Sequence, residues 1–142
     1  MDKSQIKKES AVFVIFGATG DLAKKRIFPA LVELTKAKLL PTDLKIIACA
    51  RSKLTKEEFK VQISNNLEIK NQDSWHDIAT KIDYLSLDLA QDINLENLKS
   101  KIEEFENHSN TCPDRIYYMA ISPAIFEKSI ENFGKHKLHI GC

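Results

Sequence analysis

Few stretches of this chain combine the residue types and spacing that chemistry needs, and the densest is Gly17-Ala18-Thr19-Gly20-Asp21-Leu22-Ala23. It follows an apolar run and opens an amphipathic one, so it reads as a strand-to-helix turn built for an anion. Gly17 permits a sharp exit from the strand. Gly20 has no Cβ, so the backbone there can approach a pyrophosphate closely. Ala23 is small enough for the helix to lie near the strand. The free N–H groups of the first helical turn and the helix dipole then face the anion, and the Thr19 hydroxyl can add a hydrogen bond. The spacing is G-x-x-G-x-x-A rather than G-x-G-x-x-G, and a ligand-free turn is the plain alternative. A carboxylate repels a pyrophosphate, so Asp21 reads as a helix cap that complements the dipole.

The second group is Ala50-Arg51-Ser52, after the second apolar run. An NAD-selective domain places an acidic residue at this turn for the ribose hydroxyls. Here there is none. A guanidinium can grip a 2′-phosphate with paired hydrogen bonds, and Ser52 can donate another. The alternative is that Arg51 is a solvated loop charge; the missing carboxylate favours NADP as the cofactor. Lys24, Lys25 and Arg26 read first as a solvated helix face. His136 and His139, spaced i, i+3, read as surface residues rather than metal ligands, because no carboxylate lies near them in sequence. His76 and His108 stand alone, and Cys49 reads as an inert core thiol. No nucleophile–base set can be assembled, so no catalytic residue and no metal site is assigned.

These residues need a scaffold. Ala11–Phe16 is a continuous apolar run, suited to a strand buried on both faces. Residues 21–40 change to a helical period through Leu22, Ile27, Ala30, Leu31 and Leu34, with Pro29 expected to bend the helix or split off its first turn and Pro41 to stop it. Strands follow at 44–50, 83–87 and 115–121. Thr55 and Glu58 have capping-box spacing ahead of a helix carrying Phe59, Ile63 and Leu67. A less defined helix starts near Ser74. Leu98, Ile102 and Phe105 form one stripe of a helix over 95–105. Pro123 suits the first turn of a last helix carrying Ile125, Phe126, Ile130 and Phe133. Alternating strands and helices imply an α/β fold: a Rossmann-like, doubly wound, mostly parallel sheet. Residues 1–10 read as a charged lead-in and 11–142 as one dinucleotide-binding domain, short of the usual six strands.

With 142 residues and a net charge of +1, the chain has no long-range field to draw nucleic acid or an anionic membrane. No apolar run reaches the roughly 20 residues of a membrane span, and the polar N-terminus lacks a signal peptide's apolar stretch. Cys49, Cys112 and Cys142 are odd in number and far apart, so neither a disulfide framework nor a thiolate metal site is expected. A cytoplasmic location follows as the expectation.

At three blocks the chain resembles glucose-6-phosphate dehydrogenases. Residues 16–31, from Phe16 through Pro29 to Leu31, are similar to the family's opening motif, which accounts together for the glycine spacing, Asp21 and the proline inside the helix. Ala50-Arg51-Ser52-Lys53-Leu54-Thr55 is similar to the family's second-strand turn, whose arginine meets the 2′-phosphate. Residues 115–126, with Ser122 and Pro123, resemble a block lining the coenzyme and sugar-phosphate cleft; the family has proline where Ser122 stands, which implies a looser backbone there. The resemblance covers about Ala11 to Cys142. It implies coenzyme contacts at Gly17, Ala18, Thr19, Gly20, Asp21 and Leu22, at Arg51 and Ser52, and at Asp88 and Pro123. Asp88 reads equally as the cap of the next turn.

What the resemblance implies is the NADP-binding part of an enzyme that oxidises glucose 6-phosphate to a lactone, in the pentose phosphate pathway. The family's lysine-proline motif and its histidine base lie in segments with no match here, so the chain alone is expected to be inactive. An unpaired sheet edge would make it prone to associate with itself. The alternative is a non-catalytic NADP-binding sensor or regulatory module.

Overall fold

The computed structural model describes residues 10–142, apart from the side chain of Ile69. Of the lead-in expected over residues 1–10, residues 1–9 lie outside them, and Ser10 instead is the buried first residue of a strand, its backbone paired beside Asp43. Four parallel strands form one sheet: β1 Ser10–Phe16, β2 Asp43–Ala50, β3 Ile82–Ser86 and β4 Asp114–Met119, in the order β3-β2-β1-β4. The helices are α1 Phe28–Lys36, α2 Lys56–Asn65, α3 Gln72–Ala79, α4 Leu95–Asn107 and α5 Phe126–Lys135. This is the expected α/β, Rossmann-like architecture. The chain steps outward from β1 to β3, then returns to place β4 on the other side of β1. The order therefore reverses between β1 and β4, and such a switch point opens a crevice at the carboxyl ends of the strands.

Both faces of β1 and β2 are covered, which is why their sequences are apolar without alternation. Ala11, Ile15, Ile46 and Ala48 pack against Phe28, Leu31, Phe59, Ile63, Trp75 and Ile78 of α1, α2 and α3. Val12, Val14, Phe16, Ile47 and Cys49 pack against Leu95, Leu98 and Ile102 of α4, together with Leu138. Burial pushes the Cys49 thiol well above its ordinary range, so it stays protonated and inert.

Local signals explain the helix starts. Thr55 Oγ1 accepts from Glu58 N–H while Glu58 Oε1 accepts from Thr55 N–H, a complete capping box at the head of α2. Pro29 cannot donate to the carbonyl four residues back, and the chain answers with a wide π turn over Ala23–Ile27 before α1 begins. That turn shifts the apolar face. Ala23, Ile27, Phe28, Leu31 and Val32 are buried, whereas Leu22 and Leu34, expected on the inward stripe, are exposed, as is Ala30.

The last helix also departs from expectation. Three of its four apolar residues do not form the core contact: Phe126 is 47% exposed, and Ile125 and Ile130 are exposed beside it. Ser129 and Asn132 are buried instead, with Phe133 partly so. Asn132 has partners inside, whereas the buried Ser129 hydroxyl has none among the described residues. Asn132 Nδ2 donates to the carbonyls of both Leu89 and Ala90 at 2.9 Å. On β4, Ile116 and Tyr118 are exposed on a face that no described helix covers.

The cysteine expectation is overturned. Cys112 and Cys142 form a disulfide across 30 residues. Spacing along the chain could not show it, because β4 runs out and α5 returns, bringing residue 142 back beside the start of β4. The cysteine count therefore gives no argument for a reducing compartment. Near this bond, Arg115 and Glu106 make a bidentate ion pair at 2.7 Å, their side chains 7% and 6% exposed. Arg115 Nη1 also donates to the Leu138 carbonyl at 3.1 Å, and Tyr117 Oη donates to the same oxygen at 2.5 Å. Glu106→Ala leaves a buried guanidinium unpaired. We expect it to lower unfolding stability by about 3 kcal/mol in urea titrations; a loss under about 1 kcal/mol would show that water screens the pair.

Candidate coenzyme cleft

The cleft at the switch point begins where β1 ends. Gly17 has φ +80°, a conformation that L side chains rarely adopt, and a Cβ there would sit 2.0 Å from the Ala120 carbonyl oxygen. Two constraints thus require glycine: the turn of the backbone and its approach to the end of β4. Gly17 and Ala18 both donate their N–H to Cys49 O at 2.9 and 3.0 Å, and Ala120 N–H donates to Phe16 O at 3.0 Å. The three strand ends are therefore locked together. Gly20 differs, since a Cβ there would meet only Gly17 O at 3.3 Å. Its missing side chain leaves room on the cleft side rather than relieving a clash.

The resulting cavity is about 540 Å³, within the range of small-molecule and cofactor sites. Gly17, Thr19 and Gly20 line it from the first loop, Ala50, Arg51 and Ser52 from the second, and Asp88 and Leu89 from the third. Ala120, Ile121, Ser122 and Ile125 close it from the segment after β4. Six of the sequence-derived site residues thus meet at one cavity: Gly17, Thr19, Gly20, Arg51, Ser52 and Asp88. Ala18, Asp21, Leu22 and Pro123 are not in its lining. Ala18 is fully buried beneath the loop, Leu22 is exposed, and Pro123 sits in a short 3-10 turn, Pro123–Ile125. Asp21 does not cap the helix, which has no side-chain cap; its carboxylate faces Lys25 at 3.9 Å on the open surface.

Sequence reasoning missed Leu89, whose apolar side chain carries no chemical signal. It marked the last block only as a cleft lining, and singled out Pro123 rather than its neighbours Ile121, Ser122 and Ile125. Ser122 does not loosen that block. Its Oγ accepts from Ala124 N–H at 3.3 Å and caps the 3-10 turn. Asp88 lines the cavity, and its Oδ1 accepts from Gln91 N–H at 3.1 Å, which caps the next turn.

Among the described residues, the Arg51 guanidinium, at the exposed rim, makes no ion pair and no hydrogen bond to protein. No group of His, Cys, Asp and Glu among them is arranged to hold a metal. No helix among them is long and apolar enough to cross a membrane.

A family model described as glucose-6-phosphate dehydrogenase, NAD binding domain, matches residues 14–141. The chain belongs to the glucose-6-phosphate dehydrogenase family. It is 33% identical to the glucose-6-phosphate 1-dehydrogenase of Cyberlindnera jadinii, over 90% of this chain and 26% of that protein. It is 36% identical to the one from Caenorhabditis elegans, over 81% and 23%. A solved glucose-6-phosphate dehydrogenase in complex with its substrate glucose-6-phosphate superposes with a TM-score of 0.83 at 33% identity, covering 91% of this chain and 28% of that one. The Mycobacterium avium enzyme gives 0.76 at 27% identity. The chain thus spans about a quarter of the length of the relatives it matches.

The third wall of the cleft hangs on α5. Beside the Asn132 bonds, His136 Nε2 meets Asp92 Oδ1 and His136 Nδ1 meets Glu96 Oε1, both at 2.5 Å, while Lys135 Nζ reaches Asp92 Oδ2 at 2.7 Å. His136 is thus a clamp between two carboxylates, not the free surface residue its spacing suggested. The hydrogen bond to Glu96, opposed by desolvation and reinforced by Asp92, raises its pKa above 6.5. A group whose folded pKa is raised stabilises fully below its unfolded pKa and loses that contribution as pH rises through the folded value. Unfolding stability should therefore fall as pH rises above about 6.5, and His136→Gln should flatten that part of the profile. An unchanged profile in the variant would remove the clamp from the account.

Proposed function

We propose that this chain binds NADP in the cleft, as the coenzyme-binding part of an NADP-dependent glucose-6-phosphate dehydrogenase. The observation that carries the reading is Arg51. At the tip of the β2 turn it lines the cavity with no ion pair among the described residues, and the turn carries no carboxylate to hold ribose hydroxyls instead. Its guanidinium suits a 2′-phosphate, with the Ser52 hydroxyl beside it. The acid in the lining, Asp88, sits on the turn after β3 and accepts from the Gln91 amide through Oδ1. The room left by Gly20 fits a pyrophosphate over the first helical turn, whose leading N–H groups have no intrahelical partner. Bound NADP would supply the hydride acceptor for oxidation of the sugar C1 hydroxyl to a lactone.

A cytoplasmic, carbohydrate-metabolising enzyme fits this reading, with glucose 6-phosphate as the partner substrate of the whole protein. We assign no catalytic base within this chain. None of its four histidines lines the cleft, and His136 is held between Asp92 and Glu96. That same lack favours the second reading, a non-catalytic NADP-binding module. The coding sequence beyond Cys142 discriminates between them: an open frame continuing into a sugar-binding segment supports the enzyme, and unrelated sequence after a stop supports the module. In either case the isolated chain should form no NADPH from saturating glucose 6-phosphate; turnover lost in His136→Ala would show that the base has been misplaced.

Two substitutions test the site itself. Arg51→Ala should weaken NADP binding by about 1.5–3 kcal/mol and leave NAD almost unchanged in calorimetric titration; equal losses for both would contradict the assignment. Gly20→Val should abolish binding of both coenzymes while circular dichroism stays native. Normal binding by the folded variant would mean that the loop is only a turn.

A further inference from the structure

The Arg51–Ser52 turn lies past the last paired residue of β2, on the surface, where a backbone is ordinarily free to move. Its carbonyls are nevertheless all held from one side. Leu87 N–H donates to Ala50 O at 2.9 Å, Ser86 Oγ donates to Arg51 O at 3.3 Å, and Tyr84 Oη donates to Ser52 O at 2.5 Å. Three successive carbonyls are thus read by the end of β3. Tyr84 and Ser86 are two residues apart on one strand, so their side chains share a face.

The tyrosine makes a rigid donor. Its ring is buried and stacked on Phe59, with centroids 5.0 Å apart and planes 25° apart; Phe59 in turn meets Phe28 edge-on at 5.6 Å. The hydroxyl is therefore set by the same core that sets the sheet. A trans peptide points its N–H opposite its C=O. Carbonyls turned towards β3 leave the next amides turned away from it, and the Arg51 and Ser52 side chains stand at the cavity wall.

We propose that Tyr84 and Ser86 are positioning residues for coenzyme selection: their hydroxyls fix the turn that aims Arg51 and Ser52 at the 2′-phosphate. This rests on the NADP reading above. A long arginine on an unfixed turn loses more freedom on binding than one on a held turn, so pre-arrangement shows as preference for NADP over NAD. Neither residue touches the coenzyme in this account; Tyr84 and Ser86 are absent from the cleft lining.

The test is a double-mutant cycle on the full chain, with NADP and NAD titrated separately and the thermal midpoint recorded for each variant. Tyr84→Phe keeps the ring and its stacking. It should lower the NADP-to-NAD affinity ratio roughly three- to tenfold, the range of one neutral hydrogen bond, and Ser86→Ala should lower it about twofold. In an Arg51→Ala background, Tyr84→Phe should leave the ratio where Arg51→Ala has already put it. A Tyr84→Phe protein that is less stable yet keeps the wild-type ratio overturns the inference and leaves the Arg51 assignment standing. Additive losses of ratio in the double variant also overturn it, since positioning through Arg51 requires coupling. An Arg51→Ala protein with unaltered ratio overturns the NADP reading, and this inference with it.

Discussion

The structure depends on how closely three backbones meet at the carboxyl end of β1. Phe16, Gly17 and Ala18 exchange hydrogen bonds with Cys49 and Ala120 on either side, and no side chain fits between Gly17 and the Ala120 carbonyl. This contact does two things. It anchors the loops after β1, β2 and β4 to one point, and it places that point where the sheet order reverses. A crevice then forms without any residue being spent on shaping it, and the first helix opens onto it with unpartnered amides.

The opposite wall is held by polar contacts as well as by the burial of Leu89 among apolar side chains. Asn132, Lys135 and His136 of the α5 region fix the segment that carries Asp88 and Leu89. The helix itself is tied back through Leu138, which receives Arg115 and Tyr117 and is fully buried. Burial lifts the Tyr117 hydroxyl to about 12, so it remains a donor across the physiological range. Asn132 satisfies part of the inward face of α5, while Ile125, Phe126 and Ile130 are left outward; Ile116 and Tyr118 of β4, an edge strand, are exposed as well. An apolar helix face and an open strand edge are each surfaces that folded proteins ordinarily cover.

Much of this was legible in the sequence, for identifiable reasons. Strands buried on both faces read as continuous apolar runs, so β1 and β2 were plain. Capping is local, so Thr55 and Glu58 placed the start of α2 to the residue. The loop after β1 stood out because its turn and its approach to Ala120 require Gly17, and the Arg51 turn because it carries a charge that the bare fold does not need. What failed was long-range or context-bound. The amphipathic pattern of α5 announces two faces without saying which is inward; that is decided by the carbonyls of Leu89 and Ala90, some 40 residues away. The Cys112–Cys142 bond depends on a chain reversal that no spacing encodes. Asp21 is an acid in a first turn, where capping is the ordinary role, yet the π turn ahead of Pro29 leaves it to Lys25 and solvent. Leu89 enters the cleft by position alone.

The central claim is that a phosphorylated dinucleotide lies across this switch point, with its pyrophosphate on the Gly17–Gly20 loop and its 2′-phosphate on Arg51 and Ser52. The most direct test is an amide chemical-shift titration of the isotopically labelled chain with NADP. The account gives the largest shifts at residues 17–20, 50–52 and 88–89, with the 50–52 shifts much reduced when NAD replaces NADP. Shifts confined to other surfaces, or the same response to both coenzymes at residues 50–52, would contradict it.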